Sequence, residues 1–173
     1  IMKNIGARIE DRPVVMPARK AAHIAQETGK GNQGYYCGAA IQLNDDTIIT
    51  GHNTTLMHSA SKLIINATKH LAGLPSNLHL VPQNIIDQVN MLKKEILKGK
   101  VASLDLEETL IALSISAISN PAAQLALEQL KHLEGCNVHM THIPTPGDEA
   151  GLRKLGVHLT SDPNFSSKAL FSL

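Results

Sequence analysis

The chain has 173 residues, enough for one domain to bury most of the surface that its unfolded form exposes. Apolar residues make up 43% and charged residues 18%, a balance that excludes intrinsic disorder. A formal charge of +1 without a block of like charges excludes a nucleic-acid stripe, and Tyr35, Tyr36, Phe165 and Phe171 are too few aromatics for a base-stacking platform.

Cys37 and Cys136 do not make a disulfide framework and read as buried thiols of a reducing compartment. No apolar run reaches the roughly 18 residues that cross a bilayer, and Ile1–Gly6 lacks a signal-peptide apolar region. The expectation is a cytoplasmic protein with neither membrane nor nucleic acid as partner. Ile1 is not an initiator residue, so residues 1–11 read as the tail end of a preceding segment and 12–173 as a single α/β domain. On that reading the first partner is the N-terminal region of the same full-length chain.

Pro13 and Pro17 keep 10–17 irregular, and Ala18 to Thr28 then carries helical apolar spacing at Ala21, Ile24 and Ala25. The glycines of 29–34 break it. Tyr35–Leu43 and Thr47–Gly51 flank Asn44-Asp45-Asp46 and predict a β-hairpin. Asn53, Thr54 or Thr55 can cap a helix from about Leu56 to Leu71, followed by a short strand at Leu78–Val81. Pro82 opens a helix that Gly99 stops. Asp105 with Glu108 makes a capping-box start for a helix over Leu106–Ser119, apolar nearly all round and therefore expected to be buried. Asn120-Pro121 starts a helix over 122–133, Cys136–Ile143 is a strand, Thr145-Pro146-Gly147-Asp148 starts a short helix, and Val157–Thr160 is the last strand. Strands alternating with helices predict a three-layer α/β sandwich with a mixed sheet and a helical insertion at about 83–119.

Two stretches carry a resemblance: Gly51-His52-Asn53-Thr54-Thr55-Leu56-Met57-His58 running on to Ala72, and Ala112 through Leu130. With Asp11-Arg12-Pro13 and Arg153-Lys154-Leu155-Gly156 they resemble the C-terminal third of the bacterial family catalogued as domain of unknown function eighteen-forty-six. The resemblance runs over nearly the whole chain and implies no settled activity. The order of elements also resembles the cytidine-deaminase-like fold. That fold places zinc ligands at two helix starts, as His-x-Glu or Cys-x-Glu and then Pro-Cys-x-x-Cys. The matching places here hold His58-Ser59-Ala60 and Pro121-Ala122-Ala123-Gln124, so the resemblance implies the scaffold without its zinc chemistry.

Several motifs carry less than they suggest. Gly29-Lys30-Gly31-Asn32-Gln33-Gly34 fits G-x-G-x-x-G but lies between a helix and a strand, the reverse of a dinucleotide site. His139 and His142, three apart on a strand, face opposite ways, as do Cys136 and His139, so neither a metal nor another cofactor is expected. Ser114, Ser116 and Ser119 have no nucleophile elbow, and Asp105, Glu107 and Glu108 sit where first-turn carboxylates offset a helix dipole.

One constellation remains. If the helix starts near 56 and 121 lie side by side, their unpaired N–H groups suit an anion, with Asn53, Thr54, His58, Ser61 and Lys62 facing Asn120 and Gln124. The plain alternative is caps, packing hydrogen bonds and a solvated lysine. Two functions stay open: a non-catalytic assembly or interaction domain, homo-oligomeric or docked on its own chain, and part of an enzyme cleft binding a nucleotide-like or phosphorylated small molecule.

Overall fold

The computed structural model describes residues 6–166; the rest of the expected N-terminal tail, residues 1–5, lies outside them. A 3-10 turn at Ile9–Asp11 leads into α1 (Val15–Glu27). This helix starts three residues before Ala18 because Pro17 falls in the first turn, where its missing N–H is not required. The hairpin forms as predicted from β1 (Gly38–Gln42) and β2 (Ile48–His52). Its turn closes through Leu43 N–H to Thr47 O at 2.9 Å, with Asp46 at φ 67°, a conformation that Asp tolerates.

Next come α2 (Ser59–Leu71), α3 (Gln83–Met91) with a wider π turn at Leu92–Ile96, and α4 (Leu106–Ser116). After α5 (Pro121–Glu128) and a 3-10 turn at Gln129–Leu133, the chain ends in β3 (Asn137–Met140), α6 (Pro146–Lys154) and β4 (His158–Ser161). The sheet order is β2-β1-β3-β4; β1 runs antiparallel to both neighbours and β3 pairs with β4 in parallel. It is the mixed sheet of an α/β fold.

Strand alternation divides the core between two faces. Ala39, Ile41, Val138 and Met140 pack with Ala60, Leu63 and Ile64 of α2 and Leu152 of α6. Ala40 faces the other way, onto Val14, the N-cap of α1, and Ala18 within it. On the α2 face, contact is close enough that a Cβ at Gly51 would overlap the backbone of Leu63, so this glycine sets how near α2 lies to the hairpin.

Two expectations fail. Residues 78–81 are not a strand. Leu80 and Val81 are buried in a second core with Ile65 and Ile86, while the Lys69 ammonium donates to Ser76 O at 2.5 Å and Leu78 O at 3.3 Å. The apolar run is satisfied by helices, not by a sheet neighbour. Between α2 and β3 the described residues form no strand beyond the single bridge of Leu104 to Met57, so the helical stretch extends past 119 to include α5. Nor is α4 wholly buried: Leu106, Ala112 and Leu113 are enclosed, but Ile111, Ile115 and the following Ile118 are exposed. Its capping box does form, with Asp105 accepting from Glu108 N–H at 2.9 Å and Glu108 from Asp105 N–H at 3.0 Å.

Candidate functional site

A cavity of roughly 70 Å³ opens where the end of β2, the start of α2 and the start of α6 meet, lined among others by Cys37, Asn53, Thr54, His58, Ser59 and Asp148. Each wall has a local cause. Asn53 is buried, accepting from Cys37 N–H at 2.8 Å and donating to Tyr35 O at 3.0 Å, which pins the segment entering β1 against the end of β2. The Thr54 hydroxyl accepts from Leu56 N–H at 3.2 Å and Met57 N–H at 3.1 Å, turning the chain toward α2. None of Asn53, Thr54 and Thr55 caps that helix. The N-cap is His58, whose own N–H donates to Leu104 O at 2.9 Å and whose ring caps nothing.

The ring is held instead by Asp148, with Nδ1 and the carboxylate 2.7 Å apart. Asp148 lies at the third position of α6 and is 3% exposed against 20% for the His58 side chain. It also accepts from Leu106 N–H and from the Thr145 hydroxyl, each at 2.9 Å, so one carboxylate ties the starts of α2, α4 and α6 together. At this junction α6 comes so near α4 that a Cβ at Gly147 would overlap the Asp105 carboxylate.

Three titrating groups of the cavity are moved in different directions. Burial alone would lower the His58 pKa, but the hydrogen bond and charge of Asp148, with Asp105 assisting, raise it above the ordinary value. Burial lowers that of His142 and holds its ring neutral, Asp162 opposing weakly. The Cys37 thiol is pushed up to about 12 by burial and then by the Asp148 charge, so it stays protonated and is no nucleophile at rest. Thr141 holds the His142 ring in place: its oxygen accepts from Gly38 N–H at 2.9 Å and lies 2.8 Å from His142 Nδ1. That contact occupies Nδ1 and leaves Nε2 as the ring nitrogen without a Thr141 partner.

Of the residues named from sequence, Asn53, Thr54 and His58 line this cavity. Ser61 is buried one turn on, donating to Leu104 O at 3.1 Å. Lys62 lines a different hollow on the flank of α2. Asn120 caps its own helix through Ala122 N–H at 3.0 Å, and exposed Gln124 donates to Glu128 at 3.0 Å; neither reaches the cavity. The helix start that joins His58 is that of α6. Asp148, Thr145, His142 and Cys37 were missed as site residues because the pairing across the fold, 90 residues long for His58 and Asp148, leaves no local signal. Among the described residues, no three His, Cys, Asp or Glu side chains cluster in a way that could hold a metal ion, and no helix is long and apolar enough to cross a membrane.

Fold and site together define an α/β domain with a mixed sheet and a buried His–Asp pair at the mouth of a small cavity. The model of the family described as "Domain of unknown function DUF1846, C-terminal" matches residues 10–171, and the chain belongs to that family. A UPF0371 protein of Clostridioides difficile (strain 630) is 39% identical over 172 residues, covering 99% of this chain and 34% of the relative. A UPF0371 protein of Clostridium botulinum (strain Alaska E43 / Type E3) is 41% identical over 173 residues, with the same shares covered. The chain thus spans about a third of the length of these bacterial relatives.

Proposed function

We propose that the cavity is the acid–base part of an enzyme cleft acting on a small molecule. The observation that carries the reading is the bond of His58 Nδ1 to buried Asp148, which occupies that nitrogen on a ring lining the cavity and leaves Nε2 as the one to meet a bound molecule. Asp148 orients the ring and stabilises its charged form, as a positioning carboxylate does for a general base. With its pKa raised, His58 takes a proton from a bound molecule and returns it near neutral pH. Neutral His142, when the Thr141 hydroxyl donates to its Nδ1, offers an Nε2–H suited to a different role, polarising a carbonyl or anionic oxygen without delivering its proton. The start of α2, which no side chain caps, and buried Ser59 add backbone and hydroxyl donors for an oxygen-rich ligand.

The test is comparative metabolite profiling. Protein of natural length, wild type or His58→Gln, is incubated with a cell extract, and small molecules are followed by mass spectrometry. A compound converted by wild type alone supports the reading; identical profiles would remove it.

A second reading, an assembly face, rests on a separate observation. Ile111, Ile115 and Ile118, together with Leu125 on α5, are exposed apolar side chains, with Ile118 85% exposed. Light scattering tests it: self-association that Ile111→Ser with Ile118→Ser removes would favour docking between copies, and a monomer at high concentration would exclude that form of it.

A further inference from the structure

The flank of α2 holds a second hollow, of about 490 Å³, between that helix and the loop running from Leu78 to Gln83. Its volume is that of a small-molecule pocket. Lys62 and Lys69 both line it, together with His79, Thr54 and Thr55, and among the described residues no carboxylate does. Lys69 is 4% exposed, yet among the described residues its ammonium meets only the neutral carbonyls of Ser76 and Leu78. Buried charges are ordinarily paired with an opposite charge. Neither lysine forms an ion pair with Asp or Glu among the described residues. Burial, and then the charge of Lys62, already press Lys69 toward losing its proton.

Two cations near each other in a hollow without counter-charge leave one economical explanation. We propose that this hollow binds the phosphate or pyrophosphate end of a small molecule, with Lys69 as the fixed cation at the buried end and Lys62 as the one that closes from the rim. The Thr54 and Thr55 hydroxyls on the same wall supply neutral donors. Lysine serves here as a point charge; no bidentate fork is needed. The inference stands apart from the acid–base reading, since none of its charged groups belongs to the His58 cavity. Thr54 alone lines both hollows.

Inorganic pyrophosphate is the probe, titrated calorimetrically into the protein at its natural length in low and in high salt. Saturable binding is expected, weakened by salt, lowered about tenfold or more by Lys62→Ala and further by Lys62→Glu. The His58→Gln variant should bind as wild type does, which separates this site from the acid–base cavity. Lys69 also anchors the 76–78 carbonyls, so its removal would confuse folding with binding; Lys62 makes no such bond, and a thermal scan of its variants confirms that they fold. Absence of saturable heat at millimolar pyrophosphate would overturn the proposal. So would binding indifferent to Lys62, or binding lost with His58.

Discussion

Replacing Asp148 with Asn probes the His58 assignment most directly. The carboxylate lies 2.7 Å from His58 Nδ1 and accepts from Leu106 N–H and Thr145 Oγ1 at 2.9 Å each. An amide of the same shape keeps one acceptor oxygen, loses the other and loses the charge. With hydrogen bonds to a charged group at about 1.5–3 kcal/mol, one lost and another weakened amount to about 2–4 kcal/mol. In a chain of this size that lowers the unfolding midpoint by roughly 4–16 °C. The pH dependence must change sign as well. Folded His58 titrates above its ordinary 6.5, so its pairing contributes fully below that pH and is lost as pH rises through the folded pKa. Without the carboxylate, burial, already the largest single influence, is opposed only by Asp105 and draws the ring below its ordinary value, so that the variant loses stability as pH falls instead. Histidine Cε1–H titration by NMR, with urea unfolding at several pH values, reads both effects. If His58 titrates at the same pH in wild type and in the Asp148→Asn variant, Asp148 does not control the ring and the acid–base assignment collapses.

Further outcomes follow from individual contacts. Gly51→Ala should cost about 1–3 kcal/mol, because the new methyl overlaps Leu63 and α2 must move off the hairpin; the urea midpoint measures it. Cys37, held as a thiol and 4% exposed, should react with iodoacetamide at pH 8 far more slowly in native than in urea-unfolded protein, and equal rates would contradict its placement. Asn53→Ala leaves Cys37 N–H and Tyr35 O without their amide partner and should cost about 2–4 kcal/mol, with faster amide exchange at Cys37 than elsewhere in the hairpin.

Much of the architecture was legible in local signals. Asp45 and Asp46 marked the hairpin, Asp105 with Glu108 the start of α4, and Asn120-Pro121 the start of α5, each through chemistry confined to a few neighbouring residues. The failures arose where tertiary context decided. Leu80 and Val81 have the composition of a strand, but a lysine on α2 consumes the nearby carbonyls and helices cover the side chains. The all-apolar pattern of α4 predicted enclosure, whereas only one side of the helix meets α2, α5 and α6. For the site, His58 stood out because it fell near the expected helix start at Leu56, at the place where the deaminase-like order puts a ligand. Asp148 did not, since Thr145-Pro146-Gly147-Asp148 reads completely as an ordinary helix start, and its carboxylate is spent three elements away.

The position of α2 has a consequence for how the two hollows communicate. Its first residues wall one chamber and its flank walls the other, so both hollows are built on a single rod of 13 residues. A guest in either chamber would bear on the same rod, and any coupling that resulted would act equally in both directions.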